Sequence, residues 1–272
     1  YTQNLDLAKI ADGTAFLGST TNLVGQVGTN NGTMLGVGAG HTYRFGAGGS
    51  TLYVGSSGAT NVLTDRDARN PANLLVGTIF TPINQLDNIG GGNGRGTTVL
   101  MQNQNYSGST IVNLASTLDV RGTLATRSVE NFGNLFLGGL GGTLVNAGGT
   151  ANIMAAGDFV MRPGSTLRFD YSTGVLPVAQ TEGLGGQGRW HDAAPLTLDT
   201  ATLQLFGNRG SDVTERVGVV TGRGGNILDV RRDANGRVAT LLLSGLVQGV
   251  DVGGLAGNNG TFDVRGTVNP EG

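Results

Sequence analysis

Ser116-Thr117-Leu118-Asp119-Val120 is the stretch from which the fold is read. A small or polar residue is followed by Thr or Asn, an aliphatic, any residue and a second apolar residue. The phrase returns as Ser50-Thr51-Leu52-Tyr53-Val54, Gly133-Asn134-Leu135-Phe136-Leu137 and Gly142-Thr143-Leu144-Val145. Later copies are Ser165-Thr166-Leu167-Arg168-Phe169, Ala201-Thr202-Leu203-Gln204-Leu205 and Gly260-Thr261-Phe262-Asp263-Val264. Each reads as a strand of about five residues whose alternate side chains share a face. One such strand cannot bury its apolar face alone, whereas stacked copies can. Recurrence at irregular intervals therefore predicts a β-solenoid with loops of variable length. Leu118, Leu135, Leu144, Leu167 and Leu203 are expected inside, with Asp119, Arg168 and Gln204 pointing outward. At about 20–25 residues per coil and ~4.8 Å per rung, about twelve coils would make a rod roughly 50–60 Å long.

Composition supports an all-β chain. Glycine supplies 50 of 272 residues, far above the average of about 7%. There is no Gly-X-Y period and little proline, which excludes collagen. Charged residues are 13%, hydrophobic residues 38% and net charge −2, the opposite of a disordered composition. Cysteine is absent, so disulfides, zinc–thiolate sites and thiol nucleophiles are excluded together. Lys9 is the only lysine and the arginines are scattered, so nucleic acid is not an expected partner. No apolar run approaches the roughly 20 residues of a membrane helix. Tyr1 is neither an initiator methionine nor the start of a signal peptide, and the chain is expected to be part of something longer.

The repeated phrase organises residues 1–272 as a single solenoid region, less regular over 1–48. Asn4–Ile10 suits a turn or two of helix, stopped by Gly13. Residues 177–195, with Pro177, Trp190, His191 and Pro195, show little alternation and read as an excursion from the stack. Residues 227–243 contain Asn235-Gly236, a tight-turn signal. They suit a local hairpin, and a solenoid corner would use the same residues.

Two stretches resemble the bacterial autotransporter-associated β-strand repeat proteins. The first is Thr97-Thr98-Val99-Leu100, then Asn105-Tyr106-Ser107-Gly108-Ser109-Thr110-Ile111-Val112-Asn113, ending in Ser116–Val120. Ser107, Ser109 and Ala115-Ser116 depart from the family's typical residues. The second runs from Pro195-Leu196-Thr197-Leu198-Asp199 through Ala201–Leu205, Val213–Gly218 and Gly225-Asn226-Ile227 to Ala239-Thr240-Leu241. It looks like the run that follows such repeats in large surface proteins. Together they cover about half the chain. The resemblance implies a right-handed parallel β-helix at the bacterial cell surface or outside the cell, and carries no catalytic residue to transfer. Residues 245–272 lack the ~10-residue amphipathic strands of that family's membrane barrel, so this region is not expected to span a membrane.

Few residues suggest chemistry. Gly90–Gly96 lacks the Gly-Lys-Ser/Thr and strand–helix context of a phosphate loop and reads as a corner. It also has glycine where a calcium β-roll places its aspartate. Thr64-Asp65-Arg66-Asp67-Ala68-Arg69 is the densest charged cluster. Asp65 and Asp67 are the carboxylate pair that a polysaccharide-degrading β-helix would need, against the favoured reading of a solvated loop. His41 and His191 are far apart in sequence, so a metal site or His triad is not expected. Arg189, Trp190 and His191 form a candidate glycan or partner contact if the ring is exposed. The favoured reading has Trp190 folding back over a coil. The Asp-Val-Arg triplets at 119–121, 229–231 and 263–265 are expected to make outward ion pairs. Asn31-Gly32-Thr33, Asn105-Tyr106-Ser107 and Asn259-Gly260-Thr261 match the glycan acceptor pattern and read as turns.

The expected function is a non-catalytic, extracellular structural or adhesive passenger region, without cofactor or metal. Its expected partners are a glycan or a host or cell surface, together with end-to-end copies of itself. Alternatives are a self-assembling subunit of a filament, sheath or surface layer, and a polysaccharide-degrading enzyme. Asn4–Ile10 is expected to cap one end, whereas Gly260–Val268 leaves the other open.

Overall fold

Strict alternation of apolar and polar positions settles most of the strands. In a computed structural model of the chain, residues 5–19, 24–27, 34–46, 48–55, 62–67, 69–78, 96–138, 143–146, 158–172, 188–192, 194–232, 235, 237–249 and 260–268 are described. They form β1 (Leu5–Asp6), β2 (Val24–Val27), β3 (Leu35–Gly36), β4 (Thr42–Phe45), β5 (Thr51–Val54), β6 (Asn73–Val76) and β7 (Gly96–Leu100). The chain continues through β8 (Ser109–Val112), β9 (Ser116–Val120), β10 (Thr123–Thr126), β11 (Ser128–Asn131), β12 (Asn134–Leu137), β13 (Thr143–Asn146) and β14 (Phe159–Met161). It ends with β15 (Thr166–Asp170), β16 (Leu196–Asp199), β17 (Thr202–Phe206), β18 (Val213–Arg223), β19 (Gly225–Arg232), β20 (Ala239–Gln248) and β21 (Thr261–Val268). The helical turns among the described residues are short 3-10 segments at Leu7–Lys9, Ala11–Gly13 and Ala39–His41.

Two large sheets hold nearly all of these strands, and every pairing in them is parallel. One has eight strands in the order β4-β6-β8-β11-β14-β16-β18-β20. The other has nine, in the order β2-β5-β7-β9-β12-β15-β17-β19-β21. From β4 onward the chain alternates between them, with β10 and β13 pairing to each other on the way. Consecutive strands thus lie in different sheets, while neighbours within a sheet are one circuit apart. This all-β arrangement is compatible with a β-helix-like fold.

Register produces columns of like side chains through the core. Leu52, Thr98, Leu118, Leu135, Leu167, Leu203 and Leu228 stand over one another in the nine-stranded sheet. All are buried. Phe45, Val76, Val112, Asn131, Met161 and Leu198 form a facing column in the eight-stranded sheet. Asp119, Arg168 and Gln204 lie outward as expected. The side chain of Leu144 lies outside the described ones. The small residue that opens the repeated phrase also has a steric reason. A Cβ on Gly133 would lie 2.3 Å from the Ser116 carbonyl oxygen, and one on Gly260 1.9 Å from that of Gly222. Neighbouring coils touch backbone to backbone at these corners.

Three details depart from expectation. The nine rungs of the larger sheet at ~4.8 Å make a stack of roughly 40 Å, shorter than the expected rod. Coils vary from 17 residues between Leu118 and Leu135 to 46 between Leu52 and Thr98. Among the described residues of 227–243 no hairpin forms: β19 pairs with β17 and β21, and β20 pairs with β18. Asn235 turns the chain from one sheet to the other, because both edges of β19 are already occupied. The last copy of the phrase is also displaced by two residues, so that Val264 rather than Phe262 pairs with Leu228.

Candidate functional site

Arg189 and Trp190, the first two of the three candidate contact residues, point inward. Trp190 is 1% exposed, with its ring centroid 5.0 Å from that of Phe159 in an edge-on contact and 5.9 Å from that of Phe169. Its indole N–H donates to the Ala194 carbonyl at 3.2 Å. Apolar gain drives the large ring into the stack while the short loop supplies its acceptor. Arg189 is equally buried, its guanidinium 4.3 Å from the centre of the Tyr171 ring. His191 is half-buried. Neither Arg189 nor Trp190 offers a face to a sugar.

Glu215 explains why this loop is held so closely, and the sequence reading missed it. β18 directs Val213, Glu215 and Val217 inward in strict alternation. The carboxylate accepts the Arg189 N–H at 3.0 Å and the Trp190 N–H at 3.1 Å, and Tyr171 donates its hydroxyl to it. A Cβ on Gly188 would lie 2.4 Å from Glu215 Oε1, so a side chain there would have to displace the carboxylate. Burial pushes the Glu215 carboxyl up to about 7, against the lowering effect of these hydrogen bonds. Burial also raises the Tyr171 phenol, and the neighbouring Glu215 carboxylate raises it further. A carboxyl near neutrality suits acid–base chemistry, but Glu215, Tyr171 and Trp190 are closed to solvent. The cluster is a clamp on residues 188–190, a few residues before β16. Of residues 177–195, numbers 177–187 and 193 lie outside the described residues.

The Asp65 and Asp67 carboxylates are engaged in separate turns. Asp65 accepts from Ala72 N at 2.7 Å, Ser107 N at 2.9 Å and Ser107 Oγ at 2.6 Å, tying its loop to the next coil. Asp67 accepts from Arg69 N at 2.9 Å and from Asn70 Nδ2 at 2.8 Å. The bonds from Asn70, then that from Arg69, hold the Asp67 carboxyl below its ordinary range. Among the described residues no group of three or more His, Asp or Glu is placed to hold a metal ion. No helix among them is long and apolar enough to cross a membrane. Of the phosphate-loop and glycan-acceptor patterns, residues 90–95, 31–33 and Asn259 lie outside the described residues.

The outer face of the nine-stranded sheet carries an interlocked ladder. The Arg168 guanidinium lies 4.3 Å from the ring centres of both Phe136 and Phe206, and that of Arg231 5.0 Å from Phe206. Arg168 donates to Gln204 at 3.0 Å, Gln204 to Asp229 at 3.2 Å, and Arg231 to Asp229 at 2.8 Å. All three Asp-Val-Arg triplets form ion pairs within the triplet. Asp229 is 4% exposed and so is covered by its neighbours rather than solvated. Burial also raises the Asp119 carboxyl, opposed by Arg121.

On the outer face of the eight-stranded sheet, β8, β11 and β14 frame a half-open groove of about 370 Å³. Ser109, Ile111, Arg127, Ser128, Glu130, Asp158, Val160 and Arg162 line it. Ser128 and Glu130 project there because β11 buries the alternate residues Val129 and Asn131. The signal in the sequence was the outward parity of these strands, visible only once their register is known. No protein-family model, curated protein or solved structure matches this chain.

Proposed function

We propose that this chain is a section of a right-handed parallel β-solenoid belonging to a bacterial surface or secreted protein of the autotransporter-passenger type. It acts as a spacer or adhesive surface and carries out no catalysis. The observation that carries this reading is the edge formed by β20 and β21, the last strands of the two sheets. Leu246 continues the column of Val220 yet is 49% exposed, and Val264 continues that of Leu228 yet is 69% exposed. Core columns that run out into solvent on two long strand edges suit a stack that continues, into further coils or onto another copy. At the opposite end, the 3-10 segments after β1 bring Leu7 into the core. A self-assembling subunit is the second reading, favoured by the same edge.

Electron microscopy of the purified chain separates the two. An adhesive section stays monomeric and attaches to cells or glycans, and a passive spacer stays monomeric without attaching. A subunit forms regular filaments or arrays without ligand and loses them when 261–268 are deleted. Isolated particles without attachment, together with reproducible polysaccharide cleavage, would overturn both.

A further inference from the structure

We propose that the groove over β8, β11 and β14 binds an acidic sugar unit of a glycan, with Arg127 pairing to its carboxylate and Asp158 and Glu130 accepting from its hydroxyls. This gives the adhesive reading above a ligand class, and rests on that reading for its extracellular setting.

The groove's charges are unequally committed. Arg162 spends two contacts on one oxygen of Glu130, Nη2 at 2.6 Å and Nε at 2.8 Å from Oε1, which leaves Oε2 to accept from a ligand. Ser128 Oγ donates to Ser109 Oγ at 2.8 Å, so the Ser109 hydroxyl keeps its own proton to give. Arg127 and Asp158 are exposed on the rim and make no side-chain hydrogen bond or ion pair among the described residues. Ile111 and Val160 supply an apolar floor between these groups. Free charges on a surface are ordinarily just solvated. Here one free cation and one free anion border the same concave, partly apolar space.

Matching that set selects the ligand. Two arginines and two carboxylates leave the groove neutral. A densely sulfated polymer therefore meets two repelling carboxylates, and a neutral sugar leaves Arg127 unmatched. A sugar with one carboxylate offers the planar partner a guanidinium prefers, hydroxyls for Asp158, Glu130 and Ser109, and an apolar ring face for Ile111 and Val160. The volume is at the lower end of small-molecule sites, roughly 300–1,000 Å³, and admits a short stretch of glycan.

Calorimetric titration of the whole chain with an oligosaccharide that carries a single hexuronate on otherwise neutral sugars, an aldotetraouronic acid, tests this. The comparators are the same oligomer with its carboxylate methyl-esterified and a sulfated galactan oligomer of equal length. The expected result is saturable binding of the hexuronate, weakened about tenfold or more by esterification or by Arg127→Gln. Asp158→Asn weakens it by a smaller factor, and Arg66→Gln, an exposed cation elsewhere, leaves it unchanged. Both rim side chains are exposed, and an unchanged melting curve confirms that the variants fold. Absence of binding by any oligomer, equal binding of the ester or the sulfated oligomer, or indifference to Arg127→Gln would overturn the proposal. Cleavage of the bound oligomer would leave the site standing and remove only the non-catalytic reading. The microscopy that tests the spacer role is independent of this titration.

Discussion

Tyr171 donates its phenolic proton to the Glu215 carboxylate in a space that water does not reach. The pair fastens Arg189 and Trp190 from beneath, so the protonation of Glu215 is coupled to folding. The folded carboxyl titrates near 7, against 4.5 ordinarily, so the native chain holds a proton that the unfolded chain has released. The contribution of Glu215 to stability is therefore full below about pH 4.5 and is lost as pH rises toward 7, by roughly 3 kcal/mol. The raised Asp119 carboxyl acts in the same direction. Urea denaturation at pH 5 and pH 8 is expected to show the drop, and Glu215→Gln to flatten it. A wild-type midpoint independent of pH would contradict the clamp.

Removing the guanidinium from between Phe136 and Phe206 is expected to destabilise the outer ladder. Arg168→Ala should cost about 1–2 kcal/mol, through lost stacking more than lost charge. Arg168→Met, which keeps an apolar stem between the rings, should recover part of it. Added salt should change the wild-type midpoint little if stacking dominates.

Asp65 and Asp67 should separate cleanly by stability. Asp65→Ala strands the Ala72 and Ser107 amides and is expected to cost about 1–3 kcal/mol. Asp67→Ala affects only a solvated turn and should shift the thermal midpoint much less. Comparable losses in the two variants would refute this assignment.

Core depth should grade the leucines. Leu167→Ala removes a fully buried rung between Leu135 and Leu203 and is expected to cost about 2–5 kcal/mol. Leu246→Ala, at the open edge, should cost under about 1 kcal/mol in a monomer. A large cost at Leu246 would instead indicate that another chain covers it in solution.

The nine-stranded sheet was the legible one. The phrases at 50–54, 116–120, 133–137, 165–169, 201–205 and 260–264 all fall in it, because its core column takes mostly leucine at one repeated position. The eight-stranded sheet escaped because its inward positions include Thr110 and Asn131, which read as outward polar residues. A near neighbour and partners from the next coil satisfy them. Thr110 meets Tyr106 at 2.7 Å and Thr126 at 3.0 Å, and Asn131 donates to the Thr166 carbonyl at 3.0 Å. Such bonds depend on how coils stack, which local pattern does not specify. The Glu215 clamp was hidden for the same reason, although a lone Glu at the inward parity between Val213 and Val217 was a signal. Arg127 and Asp158, 31 residues apart, meet at one groove only through the pairing of β11 with β14.

Unequal coils on equal rungs have a mechanical consequence. Backbone hydrogen bonds join each coil to the next, so tension applied along the stack loads one rung at a time. Coils should peel off in sequence from an end, at a nearly constant force, rather than break together. The length released at each step follows the coil, from about 60 Å for the 17 residues between Leu118 and Leu135 to about 160 Å for the 46 between Leu52 and Thr98. Held at both ends, such a molecule dissipates a pull in unequal instalments, the largest from its longest coil.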